Sequence, residues 1–428
     1  MELSEMFYKH DDDIVLTIFW NSLYIAFLLL PLGINLPTPF FIISITLGII
    51  NIFRSKKKFV LDNKILLLLP LYFVVMAISL FYTSNSSYGL DVLQRSLSLF
   101  LFPVIFLFVK EDASSVRKLF EFLLVGLVIS FFINLSIALN NSISIFKEGF
   151  FTNVSIQDLT SFLDALMSGW NYLVEDEFSK LINPSYLSLY ILLVLSFYLK
   201  KNLDSRLRTT VVVILFLYLF LLASIAAYLI LLIMCLLLIF DISERSRKHT
   251  MMIMFVLGVI IFLNNPRVFD FYAKIKNFGN SIEYANSTSE KARLLSWDAS
   301  LKLIKDAPLL GYGIGDANDI LINKYSELGY TYNFDNRYNA HNQFLQTLLQ
   351  TGIMGFVILV SIFVVLAIRM RRSRNEFSVF LILLISLIFE SMLVRFNGIV
   401  FFSIIIPLLL KKRSILSSRI IRNNLIVS

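Results

Sequence analysis

The sequence predicts an all-α polytopic integral membrane protein of about 12 transmembrane helices, with both termini cytoplasmic and a large extracytoplasmic loop carrying short amphipathic helices. Three observations lead there. Hydrophobic residues make up 57% of the 428 positions and the mean hydropathy is +0.76, against about 45 to 50% apolar in soluble domains. Apolar runs recur from end to end and leave no stretch for a separate soluble domain, so 1–428 reads as a single membrane domain. Lys and Arg gather in short clusters between the runs, as in cytoplasmic membrane loops. That clustering accounts for the net charge of +8 without nucleic acid as a partner. The single cysteine, Cys235, lies in an apolar run and forms no internal disulfide.

The first five spans, within 14–139, are Ile14 to Leu32, Thr38 to Phe53, Ile65 to Tyr82, Ser96 to Val109 and Leu119 to Leu139. The first follows Asp11, Asp12 and Asp13, lacks a small-residue cleavage site, and so reads as a span rather than a cleavable signal. Region 185–263 begins with Ser185 to Leu199 and ends with Met251 to Leu263. Between them, Val211 to Phe240 would reach about 45 Å as one helix, well beyond a hydrocarbon core of about 30 Å. Splitting it near Ala223 and Ser224 puts Lys200-Lys201-Arg206-Arg208 and Arg245-Arg247-Lys248 on one side. It also alternates them correctly with Arg54-Lys56-Lys57-Lys58-Lys64, Lys110-Arg117-Lys118, Arg369-Arg371-Arg372-Arg374 and Lys411-Lys412-Arg413. Region 343–410 holds the last three spans, Ile353 to Ile368, Phe377 to Val394 and Ile399 to Leu410, before a basic cytoplasmic tail, 411–428. Two long connections, 140–184 and 264–342, then face outward, and long connections are usually functional or disordered. The first carries Asp158, Asp164, Glu175, Asp176 and Glu177, which read as a solvated surface because no metal-ligand spacing accompanies them.

The densest signal runs from Arg293 to Gly355. Arg293, Trp297, Ser300 and Leu301 recur at three- and four-residue spacing, which predicts an amphipathic helix along the membrane surface, ended before Pro308. Gly311, Gly313 and Gly315 follow. Such spacing lets backbone approach a ligand, but no strand-glycine-helix unit surrounds it and no Gly-Lys-Ser/Thr occurs, so taken alone the glycines read first as a plain turn. His341 opens a helix running on into the span near Ile353. There the positive end of the dipole opposes protonation, so the imidazole would accept a proton, unless it merely bonds a loop carbonyl. The other histidines, His10 and His249, fall on cytoplasmic segments. Arg95 precedes the fourth span, Arg293 and Arg337 lie in the large loop, and Arg395 follows the eleventh span. Glu390 falls inside that span, where an ionisable residue marks a functional site by default or simply pairs with Arg395.

These motifs together resemble the O-antigen ligase and polymerase superfamily of bacterial membrane glycosyltransferases. The family pattern is an arginine and tryptophan four apart, Pro-x-x-Gly-x-Gly, His-Asn-x-x-Leu and Gly-x-x-Gly. Here it reads Arg293 and Trp297, Pro308 with Gly311 and Gly313, His341-Asn342 with Leu345, and Gly352 with Gly355. FESMLVRFNGIVFF, from Phe389, resembles the closing segment of some members. Two positions depart. A histidine often found before Pro-Ser/Thr-Tyr is Asn183 in Asn183-Pro184-Ser185-Tyr186, and the Ser-Arg pair common at the eighth span is Ser224-Ile225. One phosphate-binding arginine of the pattern is therefore absent, with Arg95, Arg337 or Arg395 in its place.

The resemblance implies transfer of a glycan from undecaprenyl pyrophosphate to a glycan or glycolipid acceptor at the periplasmic face of the inner membrane. Neither metal nor other cofactor is implied, and membrane lipids are the remaining partner. Arginines would hold the pyrophosphate through bidentate contacts, His341 would take the acceptor proton, and Trp297 and Tyr338 would stack on sugars. Ligation to a lipid A core and polymerisation of repeat units both fit. A polysaccharide flippase should instead show two similar halves and broken helices with midplane charges, and neither is evident in the sequence. A non-catalytic sensor would leave His341 and Arg293 dispensable.

Overall fold

The computed structural model describes residues 7–9, 13–54, 61–109, 113–150, 170–198, 206–222, 224–241, 248–249, 252–253, 255–256, 259–260, 289–371 and 374–411. Every regular element among them is helical. This is what apolar runs dictate, because within lipid a helix satisfies its backbone groups internally. Five helices are long and apolar enough to cross a membrane: Ile14–Leu32, Lys64–Tyr82, Ser86–Phe108, Ser115–Ser142 and Gln343–Met370. Six shorter apolar helices join them: Thr38–Arg54, Pro184–Ser196, Thr209–Leu222, Ala226–Leu237, Glu376–Phe389 and Phe396–Leu410. These match eleven of the expected spans in position. The ninth, Met251 to Leu263, lies mostly outside the described residues, as do Asp158, Asp164, 264–288 and all but Lys411 of the tail.

The chain forms two compact units, one from residues 1–47 and 112–231, the other from 48–111 and 232–428. In the first, helix Ile14–Leu29 begins at Asp13, whose side chain accepts the Leu16 N–H, so an acidic residue of the leading segment serves as the N-cap. It packs along Ala113–Phe150, with the Tyr24 and Phe122 rings stacked at 5.3 Å. A Cβ at Gly126 would overlap the Leu28 carbonyl, which explains the glycine at this crossing. The 38-residue helix Ala113–Phe150 runs well past the expected end at Leu139, so the first long connection starts as helix. Its buried Ser130 and Asn134 bond the Tyr218 hydroxyl at 3.1 and 2.8 Å. Asn183 accepts the Ser185 N–H at 3.0 Å at the start of Pro184–Tyr198, a capping role that suits asparagine.

The split in Val211 to Phe240 is observed: helix Arg206–Leu222 ends just before Ser224, and Ile225–Asp241 follows it. Ser224 accepts the Ala227 N–H at 3.4 Å as its N-cap.

In the second unit, Gln343–Met370 packs on Leu68–Ile78 and Arg374–Phe389, and Phe396–Leu410 packs on Ser98–Phe108. Three details correct the sequence reading. Arg95 does not precede the fourth span but lies within it, because helix Ser86–Ser96 runs almost directly into Ser98–Phe108. Gln343–Met370 is broken at Gly352 (φ 60°, ψ −155°), where an uninterrupted helix was expected. Glu390 is not inside a span. Helix Arg374–Phe389 stops one residue earlier, and Glu390 begins the turn leading to Phe396–Leu410.

Candidate active site

All elements of the site belong to the second unit. Helix Ser289–Asp306 turns Leu295, Ser296, Ala299 and Ser300 inward. Arg293 and Trp297, four residues apart, share an adjoining half-buried face. The helix ends before Pro308 as expected, and the glycine turn follows.

That turn has a structural task. At the Gly352 break, the Ile353 N–H no longer bonds back to Leu349. It donates to the Pro308 carbonyl at 3.0 Å, and the freed Leu349 carbonyl accepts the Tyr312 N–H at 2.7 Å. One lost helical bond is thus replaced by two bonds to the turn, so neither of these two groups is left orphaned. Gly311 (φ +66°) lies so close to Leu348, Leu349 and Gly352 that a Cβ would meet their backbone within 2.8 Å. Gly313 (φ +82°) and Gly315 approach Ser79, Thr83 and Asn85 in the same way. Pro308, Gly311, Gly313 and Gly315 therefore pin the broken helix to the end of the third span. Asp316 extends the clamp by accepting the N–H groups of Ser84 and Asn85 at 2.6 and 2.7 Å. Burial alone would raise its carboxyl, but those donors prevail and hold it below the usual carboxylate range.

Residues 339–343 form the corner that presents His341. Helix Gln343–Met370 starts at Asn342, whose side-chain oxygen accepts the Phe344 and Leu345 N–H groups at 2.9 and 3.1 Å. This is the cap that an asparagine after histidine foreshadows. His341 sits just before it at φ 45°, a left-handed conformation that costs an L-residue about 1–2 kcal/mol. Its Nδ1 lies 3.2 Å from Oε2 of Glu390, the Tyr338 ring meets it edge-on at 5.0 Å, and Trp297 Nε1 donates to its carbonyl at 3.4 Å. The turn after Glu390 is locked onto this corner. Ser391 Oγ accepts the Asn342 N–H at 3.2 Å, and Gln343 Oε1 accepts the Leu393 N–H at 2.7 Å.

Burial would push the Glu390 carboxyl upward, but the His341 contact and the positive charge of Arg293 and Arg395 together outweigh it, and the carboxyl is held well below its ordinary range. Ionised, it only accepts, so Nδ1 of a neutral His341 must carry the hydrogen and Nε2 must hold the free lone pair. The result is a proton acceptor oriented by a buried carboxylate and flanked by two guanidinium charges. Such an arrangement can deprotonate a hydroxyl beside a bound anion. Among the described residues, no three His, Cys, Asp or Glu side chains gather into a metal-holding group.

His341, Glu390, Arg293, Arg395, Trp297 and Asn342 are thus brought together, and the glycine turn supports them from behind. The other two arginines are engaged elsewhere. Arg337 is exposed, at φ 49°, and pairs with Asp319 at 3.4 Å. Arg95 lies over the Tyr88 ring at 5.8 Å and donates to the Asp91 carbonyl. Sequence reasoning paired Glu390 with Arg395 alone and missed His341 as its hydrogen-bonded partner. It also missed a buried polar stripe, Gln343, Gln346, Thr347, Gln350 and Thr351, on the half-helix before the break. The stripe's three- and four-residue spacing was the available signal.

Fold and site define a helical membrane protein with a histidine–carboxylate pair set among arginines. Residues 210–360 match the family model described as O-antigen ligase, a stretch that contains the whole Arg293-to-Gly355 motif cluster. Over that stretch the chain is similar to the O-antigen ligase family, which supports the resemblance carried by its motifs. No curated protein matches the chain.

Proposed function

We propose that the protein is an O-antigen ligase-like glycosyltransferase of the bacterial inner membrane. It moves a glycan from undecaprenyl pyrophosphate to an acceptor sugar hydroxyl, on a lipid A core or similar glycolipid, at the periplasmic face. The observation that carries this reading is the His341–Glu390 contact with Arg293 and Arg395 beside it. Nε2 of His341 takes the acceptor proton as the hydroxyl oxygen bonds to the anomeric carbon. The bond from that carbon to the pyrophosphate oxygen breaks, and the leaving group departs with the electron pair. Arg293 and Arg395 hold its developing charge, supplying what a metal ion supplies in nucleotide-sugar enzymes. Arg395 is favoured over Arg95 and Arg337 as the second arginine because it closes the Glu390 turn and its charge acts on Glu390.

The expected topology places the large loop outside. A cysteine at the exposed Ser326, after Cys235 is replaced, should react with an impermeant thiol reagent without inner-membrane permeabilisation. Labelling that requires permeabilisation would contradict the twelve-span arrangement.

The experiment that tests the function measures transfer from lipid-linked donor to acceptor by purified wild-type protein and Arg293→Lys. A point charge does not reproduce the two-pronged grip on phosphate oxygens, so lysine should restore little of the rate, with a loss on the order of 10- to 100-fold. A surface arginine that only anchors lipid headgroups would tolerate lysine, and near-wild-type transfer would rule out the pyrophosphate role. Polymerase activity of the same superfamily is the competing outcome. A deletion strain that accumulates free lipid-linked polymer indicates a ligase, and one limited to single repeats indicates a polymerase.

A further inference from the structure

The proposed reaction gives His341 a role without explaining its backbone. A histidine at φ 45° must be held there, since the left-handed region disfavours any residue with a Cβ. Three neighbouring side chains hold it. Asn339 Oδ1 accepts the His341 N–H at 2.9 Å, closing a local turn of the kind asparagine forms two residues back. Gln346 Oε1 accepts the intervening Ala340 N–H at 3.1 Å, and its amide donates to Asn318 at 3.0 Å. The Tyr325 hydroxyl lies 2.9 Å from Ser296 Oγ, on the helix that carries Arg293, and 3.4 Å from the Asn339 carbonyl. Through Tyr325, Asn339 thus adds a second tie between the arginine helix and the histidine corner, beside that from Trp297 to the His341 carbonyl.

We propose that Asn339 is a positioning residue, which holds His341 in its left-handed backbone and so keeps the imidazole facing Glu390. Without its oxygen, His341 relaxes toward negative φ, its Cβ swings, and Nδ1 leaves the carboxylate. The inference rests on the reading of His341 as the base.

The test compares Asn339→Ala, Asn339→Asp and Asn339→Ser in purified protein, each alone and in the His341→Ala background. Asn339→Ala should lower kcat on the order of 10- to 100-fold with little change in KM, because a misplaced base costs rate rather than binding. Asp keeps an acceptor at the same reach and should stay within a few-fold of wild type, with Ser between Asp and Ala. In the His341→Ala background, Asn339→Ala should cost nothing further, since it acts only through the histidine. Wild-type turnover by Asn339→Ala, equal losses in both backgrounds, or Asp as poor as Ala would each overturn the proposal. If the alanine variant is not recovered from the membrane, the ranking of Asp above Ser decides in the same way. An active His341→Ala would instead remove the base itself, which separates failure of that reading from failure of this one.

Discussion

His341→Ala should slow glycan transfer by about two to four orders of magnitude, the usual contribution of a positioned general base. Protein level should stay near wild type. The side chain is part-buried, stands outside the helix and packs mainly against Tyr338 and Glu390, so its loss leaves no large cavity. A purely structural histidine would give the opposite pattern, poor accumulation with near-normal specific activity in the surviving protein. Unchanged turnover at normal protein level would mean that another group deprotonates the acceptor, Glu390 being the nearest candidate, or that the arginines alone carry catalysis.

Glu390→Gln should be nearly as damaging, on the order of 10²- to 10⁴-fold, although the side chains are almost the same size. The reason lies in how the carboxylate is shared. Oε1 accepts the Ser391 N–H at 3.1 Å, and Oε2 faces His341 Nδ1 at 3.2 Å. Glutamine has one oxygen. If that oxygen stays on Ser391, its NH₂ confronts His341, the imidazole must offer a lone pair at Nδ1, and the hydrogen moves to the nitrogen that should act as base. Transfer measured on purified Glu390→Gln tests this. Activity within a few-fold of wild type would show that the carboxylate does not set the tautomer.

The depressed Glu390 carboxyl fixes the sign of the pH dependence. A carboxyl held below its ordinary range gives a contribution present above that range and lost only as pH falls through the depressed value. The Glu390–His341 contact therefore persists through mild acid.

Much of the fold was legible because burial in lipid is a property of continuous runs. The split near Ser224 followed from length and charge alternation, and the end of the arginine helix followed from Pro308. Arg293 and Trp297 on one face, and Asn342 at a helix start, were equally local. What escaped was set by contacts distant in sequence. Glu390 lies 49 residues from His341, and they meet because Ser391 and Leu393 bond Asn342 and Gln343, a docking that no local spacing encodes. The glycines were ambiguous for the same reason. Gly311 and Gly313 take on meaning only beside the Gly352 break and the end of the third span, which lies over 200 residues upstream. Arg95 and Arg337 stood level with Arg395 in the sequence, and only their partners, Tyr88 and Asp319, distinguish them.

The most direct test of the central claim is the pH–rate profile of transfer from undecaprenyl-pyrophosphate-linked glycan to acceptor, measured on purified wild-type protein and on His341→Ala. The account predicts that wild-type activity declines as the imidazole becomes protonated, and that the far slower residual activity of the alanine variant lacks this acid limb. The same limb in both proteins, with comparable rates at neutral pH, would contradict His341 as the base.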